Sequence, residues 1–208
     1  MSLTTTTGIA LILSTLIYHG GLAYLFGRAQ FLEVLRLPHE KRPLIIARHP
    51  EEYRWGYRVV LTGWIVAALG YVLLAARLRE AGDPMISTLA AVLFLLAIGA
   101  AIVFWVFSAA PSLLAAEEMI RTTIVPAYYP TLQLAAESAL GVYQMLALLA
   151  TVGFGWALLQ TGLLPSWVGW LTLGFGVFWA GVFLKTREGI PLLPMVMPLV
   201  IGLTLLLK

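Results

Sequence analysis

Cysteine is missing altogether from these 208 residues, which excludes disulfides, thiolate metal sites and a cysteine nucleophile. Charge is scarce as well. Asp, Glu, Lys and Arg make up 11% of the chain, where a soluble domain carries about 25%. No glycine-rich nucleotide loop, Gly-x-Ser-x-Gly elbow or His-Glu-x-x-His pair occurs. An enzyme built from this chain would have to assemble its site from scattered groups, so no catalytic residue is assigned and catalysis is not expected. The two loop histidines, His39 in "PHEKRP" and His49 in "RHPEE", fit no zinc spacing, and no metal site is expected.

Apolar residues are what the chain has in quantity, 61% of positions. Residues 8–26, 59–76, 85–110 and 190–207 hold no charged side chain, and 138–184 form one uncharged run. At about 1.5 Å per helical residue against about 30 Å of hydrocarbon, that run is long enough for two crossings. Its break falls at "QTGLLPSW" (160–167), where Gly162 and Pro165 supply turn chemistry. The expected fold is therefore all-α: one polytopic transmembrane helix bundle over 1–208, with about six spans at 8–26, 59–77, 85–110, 134–160, 165–185 and 190–207, plus interfacial amphipathic helices. The N-terminal stretch lacks a basic region and a small-x-small cleavage pattern, so it is expected to remain as the first span. Pro191, Pro194 and Pro198 crowd the last span and predict a kinked or broken start. A re-entrant last segment would instead leave five spans and a cytoplasmic C-terminus.

Positive charge lies unevenly about these spans. Arg28, Arg36, Lys41, Arg42, Arg48, Arg54, Arg58, Arg121, Lys185 and Arg187 fall on one side, and only Arg77, Arg79 and Lys208 on the other. The excess belongs in the cytoplasm, which puts both termini outside. Segment 27–58 is then a basic cytoplasmic loop. "RAQFLEVLRL" within it reads as an amphipathic helix, and its cations, Arg28, Arg36, Lys41, Arg42, Arg48, Arg54 and Arg58, are expected to contact anionic headgroups. Pro50, Glu51 and Glu52 mark a helix start that runs on into span two, with Trp55 and Tyr57 as interfacial anchors. Segment 111–130 reads as a second interfacial piece. Its Glu117 and Glu118 are a candidate cation entrance, since paired carboxylates at a pore mouth select for charge.

Three polar groups are expected inside the bilayer: His19, Glu137 and Gln144. Ionisable groups there turn toward the bundle interior, and a mid-membrane amide needs a partner on another helix. Glu137, Gly141, Gln144 and Leu148 recur at helical spacing, so one face of span four carries both polar groups. The three residues form a candidate polar route. They serve equally well as packing glue. No cofactor is expected, with one option open: His19, beside Gly20 and Gly21, as a tetrapyrrole ligand. Gly63, Gly70, Gly141, Gly174 and Gly181 are positions where helices are expected to approach closely.

The stretch "WALLQTGLLPSWVGWLTLGFGVFWAGVF" (156–183) resembles the penultimate hairpin of a bacterial family of uncharacterised multi-pass membrane proteins, through its Gly-Leu-Leu-Pro-x-Trp turn. Ser166 stands where that family often has a basic residue. The resemblance implies a bundle in the bacterial cytoplasmic membrane and adds no catalytic residue. Two classes of function follow from the sequence. One is a non-enzymatic accessory or scaffold subunit whose partners are the bilayer and other membrane subunits or a second copy. The other is a small proton-linked transporter using His19, Gln144 and Glu137. Nothing in the charge pattern calls for nucleic acid.

Overall fold

The computed structural model describes residues 2–83, 85–186 and 195–208, and every regular element among them is helical. In chain order these are α1 (Leu3–Arg28), α2 (Phe31–Arg36), a 3₁₀ turn (His39–Lys41), α3 (Arg42–Ile46), α4 (Pro50–Glu80), α5 (Ile86–Thr122), α6 (Tyr128–Thr161), α7 (Ser166–Thr186) and α8 (Val196–Leu206). Among them α1, α4, α5, α6 and α7 are long and apolar enough to cross a membrane. Arg187, Pro191 and Pro194 lie outside the described residues, as does the start of the sixth expected span.

Local chemistry sets most of the helix ends. Ser2 caps α1, its hydroxyl accepting from the Thr5 N–H at 3.1 Å. Pro50 opens α4 with Glu51 and Glu52 in its first turn, where the helix dipole favours carboxylates. The buried Asp83 caps α5, accepting from the N–H groups of Ile86 (3.3 Å) and Ser87 (2.6 Å). Gly162, at φ 60°, ends α6 in the left-handed region where glycine is unpenalised. One expected boundary is corrected: α5 does not stop at 110 but runs through Pro111 to Thr122. Proline removes a single ladder bond, so residues 111–122 extend the third long helix without a break. The loop proper shrinks to the few residues before Tyr128.

Small residues hold the bundle together. On α4, Gly56, Gly63 and Gly70 recur every seven residues and receive Leu25, Tyr18 and Leu11 of α1, which recur at the same interval in the opposite direction. A side chain on Gly63 would stand 2.8 Å from the Tyr18 backbone nitrogen. The α6–α7 hairpin repeats the device: Gly176 lies against Val152, Gly155 against Leu173, and Gly169 against Leu159. Gly174 and Gly181 face open space instead, and Gly141 meets only the Phe183 ring edge at 3.8 Å. The expected close approaches at those three positions are therefore corrected to Gly155, Gly169 and Gly176. Helix α8 seats Gly202 against the Gly8 carbonyl, and Thr15 donates to the Met195 carbonyl at 3.1 Å. It has 11 residues, about 16 Å of helix, and begins beside the middle of α1.

The two ends of the bundle differ in charge. Arg54 of α4 reaches Glu117 of α5 (4.0 Å), and Arg42 of α3 reaches Glu137 of α6 (3.9 Å), which gathers the basic loop, the end of α5 and the start of α6 at one end. At the other, Lys208 donates to the Leu163 carbonyl (2.6 Å), and Ser2, Arg77 and Lys208 line one depression. The first and last described residues thus share the sparsely charged end.

Candidate functional site

Interhelical register fixes depth. Tyr57 packs on Trp105 with ring centres 5.1 Å apart, and Ser87 donates to the Ala75 carbonyl at 3.4 Å, which aligns α4 with α5. Gly153 against Ala90 and Gln133 against Ser112 align α5 with α6. Carried across, these contacts put Glu137 level with the stretch of α4 around Gly56. That is beyond Arg58 and outside the uncharged segment 59–76, whose 18 residues span about 27 Å. Glu137 therefore lies level with the charged stretch of α4 that precedes the uncharged segment, two to three turns into α6, which begins at Tyr128.

At that level the helices enclose a cavity of about 120 Å³ between α2, α3, α4, α5 and α6. Its polar lining comes from Arg42, Tyr57, Ser108, Ser112, Tyr129, Gln133 and Glu137. Tyr57, Ser112, Tyr129 and Gln133 are buried. The Gln133 amide donates to the Ser112 hydroxyl (3.1 Å) and the Ser108 carbonyl (3.4 Å). Ser112 in turn donates to the Ser108 carbonyl (2.5 Å), and the Tyr129 hydroxyl lies 3.4 Å from Ser112 Oγ. The Tyr57 phenol sits beside the Ser108 side chain. Arg42 enters from α3, its Nε donating to the Leu37 carbonyl (3.0 Å) and one terminal nitrogen 3.9 Å from Glu137. The Glu137 side chain remains 47% exposed, so it forms the rim while Arg42 reaches the interior. The Tyr53 hydroxyl, buried and without a hydrogen-bond partner, lies within electrostatic range of Tyr57, Tyr129 and Glu33.

The expected polar residues occupy separate settings. His19 donates from Nδ1 to the carbonyl of Thr15, one turn back on its own helix (2.9 Å), and meets Tyr18 edge-on at 5.5 Å. Of the two glycines beside it, Gly21 is filled by Val60 of α4 and Gly20 opens outward. Gln144 is buried, its Nε2 without a hydrogen-bond partner. Neither His19 nor Gln144 borders the cavity that Glu137 lines. Glu117 and Glu118 are exposed; Glu117 pairs with Arg54, and Glu118 lies beside Tyr128. Both border an open depression with Arg121.

Of the seven basic residues assigned to headgroups, Arg28, Arg36, Lys41, Arg48 and Arg58 are exposed. Arg54 bonds Glu51 at 2.5 Å, and Arg42 turns into the cavity. Trp55 is exposed as an anchor would be, whereas Tyr57 points inward. Among the described residues no cluster of three or more metal-ligating side chains occurs.

A second polar group lies deeper. The Trp64 indole nitrogen, the Tyr71 and Tyr143 hydroxyls and Gln144 Nε2 are all buried without a hydrogen-bond partner. Trp64 contacts both Tyr18 (5.2 Å) and Tyr143 (4.5 Å) between ring centres. Tyr71 stacks between Phe94 (3.9 Å) and Phe154 (4.8 Å).

Ser108, Ser112, Tyr129 and Gln133 were not singled out in the sequence, where Tyr57 was read as an interfacial anchor, although a signal for those four was present. Tyr129, Gln133 and Glu137 stand four apart, as do Ser108 and Ser112, so each set makes a polar stripe on one helix face. Ending the third span at 110 and beginning the fourth at 134 hid both stripes. No protein-family model, curated protein or solved structure matches this chain.

Proposed function

We propose that the protein is a non-enzymatic accessory or scaffold subunit of a membrane assembly, set in a bacterial cytoplasmic membrane with its basic end inside and its termini outside. The bundle itself is integral to a membrane, as its five long apolar helices indicate. The observation that carries the subunit reading is the position of α7. It packs along α6 through Gly155, Gly169 and Gly176, while Trp167, Trp170, Val177 and Phe178 face outward. Among the described residues this span is held chiefly by α6, so its outward aromatic face is open to another helix, and van der Waals packing drives such association in lipid.

Absence of cysteine makes the test direct. Single cysteines are placed at Phe178 on α7 and at Ile65 on α4, both exposed, and oxidised in native membranes. Discrete adducts at position 178 and none at 65 are expected; equal, diffuse labelling at both overturns the reading.

The four unpartnered polar atoms around Trp64 and Gln144 favour a second reading, in which water and a solute or proton enter the bundle. Gln144→Leu separates the two. Under the subunit reading it removes an unsatisfied buried donor and leaves stability unchanged or raised by about 1 kcal/mol. Under the transport reading it abolishes a proton-gradient-dependent flux in proteoliposomes, as does His19→Ala. A visible absorption spectrum of the purified protein decides the tetrapyrrole option at His19.

A further inference from the structure

We propose that the cavity between Arg42 and Glu137 binds a zwitterionic phosphoethanolamine group, the chemistry of a phosphatidylethanolamine headgroup. The lining is divided by charge and function. Inside, the Arg42 guanidinium and the Tyr57 and Tyr129 phenols are hydrogen-bond donors, the Gln133 amide being engaged by Ser112 and Ser108, and a guanidinium fork matches the oxygens of a phosphate. Fixing Nε on the Leu37 carbonyl aims the terminal nitrogens away from the chain that carries them. On the rim, the half-exposed Glu137 carboxylate is an acceptor suited to an ammonium. Arg42 and Glu137, an ion pair at 3.9 Å, bring opposite charges to neighbouring parts of one cavity lining, the pattern that a zwitterion with a two-carbon spacer complements.

Size and depth agree. A cavity of about 120 Å³ lined by polar groups of α3, α4, α5 and α6 suits a headgroup fragment. Phe31, Leu35, Phe104 and Leu140 complete the wall, and Leu35 is exposed, so an apolar path leads outward for a lipid's glycerol end. By register the site lies level with the charged stretch of α4 that precedes the uncharged segment. A purely anionic ligand would meet the Glu137 carboxylate with its like charge, and a choline headgroup would present it with no N–H donor.

The test uses the full chain in nanodiscs of equal phosphatidylethanolamine, phosphatidylcholine and phosphatidylglycerol, with bound lipid read by native mass spectrometry. Enrichment of phosphatidylethanolamine on the wild type is expected, with retained lipid falling about tenfold in Arg42→Gln, the loss of roughly 1.4 kcal/mol. Glu137→Gln should still retain phospholipid while losing the preference for ethanolamine over choline. Arg79→Gln, exposed and at the opposite end of the bundle from the cavity, should match wild type. Should Arg42→Gln fail to fold, the rim variant Glu137→Gln still decides the question. A second arm titrates water-soluble phosphoethanolamine, phosphocholine and inorganic phosphate into lipid-depleted protein in detergent. Saturable binding of phosphoethanolamine there, with no lipid enrichment, keeps the site and makes its source a free solute. No preference among the three lipids and no soluble binding, or a preference for phosphatidylglycerol, overturns the proposal.

Discussion

A Cβ placed on Gly63 would stand 2.8 Å from the Tyr18 backbone nitrogen, whereas one on Gly174 would meet nothing within 4 Å. These two glycines look alike in the sequence, each with a second glycine seven residues on. Spacing says that two residues share a face of a helix. It does not say whether that face meets a neighbour or lipid, and so Gly63 and Gly70 were legible as contacts while Gly174 and Gly181 were not. The difference has a measurable consequence. Gly63→Leu forces α1 and α4 apart against backbone rather than against a movable side-chain tip, and overpacking of that kind costs about 1–3 kcal/mol. Gly174→Leu places an apolar group on an open face and should change stability by about 0.5 kcal/mol or less. Thermal unfolding in detergent compares them; equal loss in both variants would count against the glycine-seated α1–α4 contact.

Elements were readable where turn chemistry spoke. Pro50 with Glu51 and Glu52 announced α4, and Gly162 announced the end of α6. The end of α5 was not readable, because proline in a membrane helix costs one ladder bond and need not stop it. That boundary concealed the cavity: with the third span ended at 110 and the fourth begun at 134, Ser112, Tyr129 and Gln133 had no helix face to share, and Arg42 was one cation among seven. Tertiary contact alone distinguishes it from the exposed Arg28 or Arg36. The short α8 carries a prediction at this scale. Its beginning is tied to α1 by the Thr15 hydroxyl on the Met195 carbonyl, while Gly202 holds its middle. Thr15→Val keeps the shape and removes that bond, which in membrane helices averages about 0.6 kcal/mol. Hydrogen exchange should rise in the first turn of α8 and stay unchanged in α4 and α5. Uniform change across the bundle would mean that Thr15 supports the whole core and not this one junction.

At the scale of the molecule, charge and polarity are sorted to the two ends. The end that gathers the basic loop also holds the Arg42–Glu137 and Arg54–Glu117 pairs and the polar cavity. The other holds Arg77, Lys208 and the capped start of α1. Membrane insertion reads positive charge near the ends of spans and keeps the richer side in the cytoplasm, which is the ground for the proposed orientation. Because Ser2 and Lys208 line the same depression, the two termini must lie on one side of the membrane whichever way the bundle is inserted. The structural and the electrostatic claims can therefore be checked apart. Reporters that are active only outside or only inside the cytoplasm, fused in turn to each terminus, should agree with each other. Agreement on the outside supports the charge argument and places the Arg42 cavity on the cytoplasmic leaflet. Agreement on the inside would keep the fold and reverse the orientation, moving the cavity to the outer leaflet. Disagreement between the termini would contradict the shared end itself, and with it the seating of α8 on α1.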